Sequence, residues 1–308
     1  VNEPLQSTTL SPAASRTSLQ PDSALRRFFY RQRGDSPFKQ AIIHVVLICA
    51  CLIAIYPVLR VVSISLRPGT NVVSTSLSII PAGATLDSYR KLFTQKDFLL
   101  WLWNSLIVTL ITSTLGLALA ATGAYAFSRW KFPGRRAGLL FLLTTQMIPA
   151  GMLLIPLYIL VVRLQLFNTY RGIIIAYATT AVPFSIWMIK GYFDTVPIDL
   201  EEAAKIDGAS QMGAFWRVIL PLSTPSLAIA FLFNFMGAWS EFIVAKTLLQ
   251  KPELRTWPLG IQELSGQFTT EWNTYAAAAV LIMIPVVSIF LYFSKYFVGG
   301  LTLGGVKG

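Results

Sequence analysis

Charge is scarce in this chain. Asp, Glu, Lys and Arg make up 13% of its 308 residues, about half of the roughly 25% usual in soluble domains. A water-soluble domain of this length needs a charged skin, so that class is excluded and lipid must solvate much of the surface. Cysteine occurs twice, at Cys49 and Cys51, and histidine once, at His44. Cysteines two apart on a helix point to different sides, which argues against a disulfide or metal pair and leaves packing as their role. His44 stands at the entry of an apolar run, where an imidazole satisfied at an interface is expected rather than a ligand or catalytic base. No Gly-Lys dipeptide occurs, so the chain lacks a Walker-type loop to cradle phosphates. Patterns of the His-Glu-x-x-His, Cys-x-x-Cys and Gly-x-Ser-x-Gly kinds are missing too. The chain offers no catalytic residue, metal site or cofactor site of its own, and an enzyme is not expected.

What is abundant is apolar sequence, at 54% of residues and a mean hydropathy of +0.60. A bilayer core of about 30 Å takes about 20 apolar residues in a helix. Six stretches qualify: 41–59, 104–127, 138–162, 172–189, 222–245 and 276–298. They predict an all-α integral membrane protein with six transmembrane helices. Pro57, Pro149, Pro156, Pro183 and Pro285 lie inside them. In lipid, neighbouring helices can satisfy the freed carbonyls, and the kinks shape a cavity. Residues 1–37, rich in Ser, Thr, Pro and Arg, read as a disordered cytoplasmic tail. Residues 38–99 read as the first span and an outer loop, 100–298 as the main transmembrane domain, and 299–308 as a cytoplasmic C-terminal tail.

Orientation follows from Lys and Arg. With the N-terminus inside, fifteen of the twenty-five fall on the inner side, which places both termini in the cytoplasm. The net charge of +11 then belongs to membrane topology, and nucleic acid is not expected as a partner. Two sizeable loops lie outside, at 60–103 and 246–275, and Trp101, Trp103 and Trp272 at span edges fit an aromatic belt. Glu241, the clearest acid within a span, lies near the outer end of the fifth. It is a candidate for lining a pathway, with helix capping or interface packing as the alternative. A single shallow acid supports an ion-coupled carrier poorly, since that class places ionisable groups at the midplane.

The inner loop 192–221 carries the strongest signal. Pro197 suits a first helical position, and Asp199, Glu201 and Glu202 suit the positive end of a helix dipole. Leu200, Ala203, Ala204 and Ile206 give that helix an apolar, partly small face, and Gly208 can stop it in a left-handed turn. Ser210 can cap a second helix bearing Phe215, Trp216 and Ile219, and Pro221 leads into the fifth span. Helices that rest on lipid favour Lys and Arg on the polar face. Exposed acids beside two alanines point instead to a protein partner.

Glu202-Ala203-Ala204, three residues, Gly208, nine residues, then Val218-Ile219-Leu220-Pro221 resembles the EAA motif of ABC importer permeases, with Val218 in place of the usual Ile. Tyr56-Pro57, Ser63-Ile64-Ser65-Leu66-Arg67, Leu102-Trp103-Asn104-Ser105, Ala124-Tyr125-Ala126-Phe127-Ser128-Arg129, Phe132-Pro133-Gly134 and the closing 300–308 are similar to maltose and maltodextrin permeases of the G type. The resemblance covers about residue 41 to the end. It implies the transmembrane domain of a type I ABC importer and a role in carbohydrate uptake. ATP and Mg would be bound by a separate ATPase homodimer, beside a second permease of the F type and an extracytoplasmic sugar-binding protein. Glu201, Glu202, Ala203, Ala204, Gly208, Leu220 and Pro221 would then couple to the ATPase, and Leu301, Gly304, Gly305 and Lys307 would reach it from the tail. The loop 257–268, with Trp257, Gln262, Glu263 and Gln267, would approach the binding protein.

Overall fold

The structure is a computed structural model that describes residues 37–69, 78, 80–265 and 270–304, without the side chains of residues 150 and 297–304. Among these residues it is helical, with one isolated antiparallel bridge between Ser265 and Thr270. In order the helices are α1 (Pro37–Ser65), α2 (Asp87–Gln95), α3 (Phe98–Arg129), α4 (Arg135–Thr145), α5 (Ala150–Arg163) and α6 (Tyr170–Phe193). Then come α7 (Asp199–Ile206), α8 (Gln211–Leu222), α9 (Thr224–Trp239), α10 (Ile243–Leu248), α11 (Trp257–Gln262) and α12 (Trp272–Gly304).

Four of these, α1, α3, α6 and α12, are long and apolar enough to cross a bilayer, and α8 with α9, bent by 79° at their break, meet the same test as a pair, for up to five. The third expected span, 138–162, is instead two helices. Pro149 holds an extended conformation at the N-cap of α5, and a residue preceding proline is pushed out of the helical region. The fifth expected span also breaks, since α9 stops at Trp239 and the chain turns helical again only at Ile243. The last helix runs on to Gly304, so the segment after 298 begins as a continuation of the span rather than as a separate tail.

The described chain divides into two units after Val58. In the first, every side chain from 37 to 58 is exposed, as suits a helix that is apolar all round and meets lipid or a partner chain. Cys49 and Cys51 are free and exposed there, so they do not pack within the chain. His44 Nδ1 lies 2.7 Å from the Gln40 carbonyl oxygen.

The second unit is built on α3 and α6. The buried face of α3 carries Thr109, Thr112, Ser113, Gly116, Ala120, Ala121 and Ala124, small residues at helical spacing that let a neighbouring backbone approach closely. Leu110, Ile111, Leu115 and Leu119 on the other face are exposed. Near one end of α3, Tyr125, Ile186, Ile189, Phe193, Phe215 and Ile219 form one core cluster. Near the other, Leu92, Phe98, Trp101, Phe235, Trp239 and Ile261 form a second. Trp101 is 2% exposed, so it is core and not part of an interfacial belt, whereas Trp103 and Trp272 are exposed.

Candidate functional site

The loop between α6 and α9 is pinned from beneath. Helix α7 opens at Asp199, two residues past Pro197, and holds Asp199, Glu201 and Glu202 in its first turn, where carboxylates complement the dipole. It ends at Gly208, whose φ of +87° is left-handed. The Gly208 and Ala209 amides close the turn on the Lys205 and Ala204 carbonyls at 3.0 and 2.9 Å. Ser210 Oγ then accepts from the Gly213 amide at 3.0 Å, capping α8. Within α8, residues Phe215–Ile219 form a π-helical turn. Pro221 has no N–H to give the Arg217 carbonyl, so the turn before it is free to widen.

Glu201 does not face outward with the other acids. It is 2% exposed, accepts a hydrogen bond from the Tyr125 hydroxyl at 2.8 Å, and pairs with the Arg129 guanidinium. This corrects its expected role, because a carboxylate already met inside the chain cannot offer its charge to a partner. Arg129 also donates to the Val196 carbonyl at 3.0 Å and to Ser128 Oγ at 3.2 Å. Ser128 Oγ donates in turn to Asp194 Oδ1 at 2.7 Å. Burial pushes the Asp194 carboxyl up, but hydrogen bonds from Lys190 and Ser128 and the charges of Lys190 and Arg135 outweigh it and hold the group below its usual range. Tyr125 and Arg129, four apart on α3, thus clamp α7 to the end of a long helix. Both lie in a stretch singled out only by resemblance; their i, i+4 spacing beside an inner acidic loop is the signal that could have found them.

With Glu201 turned inward, the loop presents Glu202, Ala203 and Ile206 outward, and Ala204 is half-buried. Pro221 is exposed and Leu220 half-buried at the far end of α8. Ile206 and Trp216 are 86% and 61% exposed, apolar area that is stable only against a partner or lipid.

The segment 250–265 is fixed as firmly at the other end of α3. Asn104, 1% exposed, donates to the Glu253 and Arg255 carbonyls at 2.8 and 2.9 Å and accepts from the Tyr170 hydroxyl at 2.7 Å. Ser105 Oγ accepts from the Trp257 amide at 2.7 Å. In α11, Pro258, Leu259, Gly260 and Ile261 are buried, Trp257 is half-buried, and Gln262 and Glu263 are exposed. Glu263 pairs with Arg255. The loop is therefore a packed helix rather than a free strap. Gln267 lies outside the described residues.

Glu241 occupies the break after α9. Its carboxylate accepts from the Val244 and Ala245 amides at 2.9 and 3.0 Å, capping α10, and from the Tyr177 hydroxyl at 3.0 Å. Glu241 thus serves as a helix cap in this conformation. Of the expected tail contacts, Leu301 and Gly304 lie on the α12 backbone with side chains not described, and Gly305 and Lys307 lie outside the described residues.

A bundle of apolar helices carrying a clamped acidic helix–turn–helix fits a membrane permease component. The chain belongs to the family described as Binding-protein-dependent transport system inner membrane component, which matches residues 112–302. It is 40% identical to the galactooligosaccharides transport system permease protein GanQ of Bacillus subtilis, over 83% of this chain and 92% of that one. It is 39% identical to the maltose/maltodextrin transport system permease protein MalG of Yersinia pestis, over 86% and 92%. Among solved structures it is similar to a chain from a bacterial ABC transporter involved in import of the acidic polysaccharide alginate, with a TM-score of 0.74 and 25% identity. That match covers 87% of this chain and all of the other. The fold is that of a type I ABC importer permease.

Proposed function

We propose that this chain is one translocation subunit of an ATP-driven importer of maltodextrin-type oligosaccharides, and that α7 transmits ATP hydrolysis in a separate ATPase pair to the spans. The observation that carries the coupling role is the Arg129–Glu201–Tyr125 clamp. It ties a short, outward-facing helix rigidly to α3, so a push on Glu202, Ala203 or Ile206 moves a crossing. In this reading the clamped end faces the cytoplasm together with both termini. The segment 250–265 faces the extracytoplasmic binding protein, with Gln262 and Glu263 as its contact residues. A second permease completes the pathway. The sugar class rests on the named relatives. A strain deleted for this gene and supplied with labelled maltotriose and galactobiose tests it: loss of maltotriose uptake, restored by the gene, is expected. Unimpaired maltotriose uptake with lost galactobiose uptake would reassign the sugar, and unimpaired uptake of both would overturn the importer reading.

Gly208→Val tests the coupling loop separately. A Cβ at this position meets nothing within 4 Å, so crowding is not the difficulty. The left-handed backbone is, at about 1–2 kcal/mol for a β-branched residue. Gly208→Val should insert normally yet retain less ATPase on purification, whereas Gly208→Asn, which tolerates this conformation better, should retain more. Equal retention by both variants and wild type would show that the turn does not aim the loop.

A further inference from the structure

An open groove of about 480 Å³ lies where the link after α3 meets α4 and α6, lined by Phe132, Gly134, Arg135, Arg136, Leu139 and Lys190. Three of these side chains are cations, and among the described residues no acid lines the groove. Lys190 pairs with Asp194, one helical turn on, and Asp194 also takes the hydroxyl of Ser128 at 2.7 Å and feels the charge of Arg135. Three positive groups against one carboxylate still leave an excess of two positive charges. Arg135 gives an N–H to the Ser128 carbonyl at 3.4 Å, one of the five that a guanidinium carries. Arg136 is exposed. Like charges gathered in one groove repel, and an anion seated among them relieves that repulsion.

The apolar side of the groove decides which anion. Phe132 is exposed and rests on Phe127, ring centroids 5.5 Å apart. Leu139 lines the groove. Leu140 stands four residues after Arg136, on the same side of the helix, and is 54% exposed. Leu143 follows Leu139 by the same step and is half-buried. No residue of α4 is buried. Cations at the opening of α4 thus lead onto an apolar strip that runs away from them along the helix. A free phosphate, or an acidic side chain of a soluble partner, would answer the cations and leave the strip bare. A phospholipid with a negative headgroup answers both, and basic pockets between helices on the cytoplasmic side suit such headgroups.

We propose that this groove holds an anionic phospholipid of the inner leaflet, its phosphate among Arg135, Arg136 and Lys190 and an acyl chain along Leu139, Leu140 and Leu143. Guanidinium groups meet phosphate oxygens in pairs, and a lysine adds a point charge. The choice of leaflet rests on the reading that puts the clamped end of α3 in the cytoplasm. The groove adjoins that clamp, because Arg135 and Lys190 are tethered through Ser128 and Asp194 and Ser128 precedes Arg129 in the chain.

The test titrates the whole purified transporter with phosphatidylglycerol, or with phosphatidylcholine of the same chains, and counts bound lipid by native mass spectrometry. Wild type should prefer phosphatidylglycerol. Arg136→Gln should lower that preference about fivefold, the share of one basic residue near a lipid headgroup. Arg135→Gln/Arg136→Gln should lower it about twenty-five-fold on the same scale, and Arg136→Lys should keep most of it. If the double variant does not assemble, the exposed Arg136 decides alone. Lys251→Gln, an equal loss of charge at the other end of α3, should leave the preference unchanged. No preference in wild type, or an equal drop in Lys251→Gln, would overturn the site. Displacement of the lipid by an equal concentration of glycerol phosphate would overturn it too, in favour of a soluble anion. Sugar uptake by the same wild-type complex in vesicles keeps the two readings apart. Uptake without lipid preference sinks this site alone, whereas preference without uptake upholds the site and sinks the importer reading.

Discussion

Arg129→Leu is expected to be among the most damaging single substitutions in the chain. The Arg129 and Glu201 side chains are 7% and 2% exposed, so removing the guanidinium leaves a carboxylate shut in with only the Tyr125 hydroxyl. Breaking one side of a buried pair costs about 3–5 kcal/mol, whereas replacing both partners by apolar residues is often nearly neutral. Helix α7 should therefore come away from α3 in Arg129→Leu, and the Arg129→Leu/Glu201→Leu double variant should recover much of the loss. Thermal unfolding of the purified complex reads the stability, and ATPase retained on purification reads the position of the loop. A single variant as stable as wild type would mean that Glu201 is not held by charge. A double variant no better than the single would mean that Arg129 acts through its bonds to Val196 and Ser128 instead.

Gly260→Ala should have an effect out of proportion to one methyl group. A Cβ there would lie 2.0 Å from Trp101 Cδ2 and 2.2 Å from Cε3, inside a ring that is itself core. Neither the indole nor the backbone of α11 can yield without disturbing the bonds from Asn104 and Ser105 to the preceding segment. Overpacking of this kind costs about 1–3 kcal/mol, and here it falls on the element we assign to the binding protein. Stimulation of ATP hydrolysis by binding protein should drop while the ATPase stays attached, since the clamp at Tyr125 and Arg129 lies at the other end of α3. Gly191→Ala is the control: a Cβ there meets nothing within 4 Å, and alanine is the better helix former by about 1 kcal/mol. Equal behaviour of the two variants would show that the close contact of α11 with Trp101 is not needed.

Periodicity and turn chemistry made the coupling loop legible before any coordinates. Gly208 does take the left-handed turn, Ser210 does cap the next helix, and three acids do sit in the first turn of α7. What the pattern could not tell is which acid faces in. Glu201 and Glu202 are adjacent and chemically alike, and only the position of Tyr125 and Arg129, more than seventy residues earlier, separates them. Hydropathy found the apolar stretches but not their interruptions. It counts apolar residues through Pro149 and through Ser240-Glu241-Phe242 without registering that the first distorts the backbone and the second supplies a cap. Trp101 was misread for a related reason. A tryptophan at a helix end looks interfacial until Gly260, a residue without a side chain, brings another backbone against it.

Asn104 has a consequence for the birth of the protein. Its amide is satisfied by carbonyls 149 and 151 residues further along the chain. At ribosomal rates of about 5–20 residues per second, those carbonyls emerge roughly 7–30 s after Asn104 itself. Through that interval α3 sits in or beside the bilayer with the Asn104 amide N–H groups unmatched, since the Tyr170 hydroxyl, made earlier, answers only its carbonyl oxygen, and a nascent chain stalled before residue 253 keeps them so. Synthesis of the segment that binds Asn104 is what ends that interval.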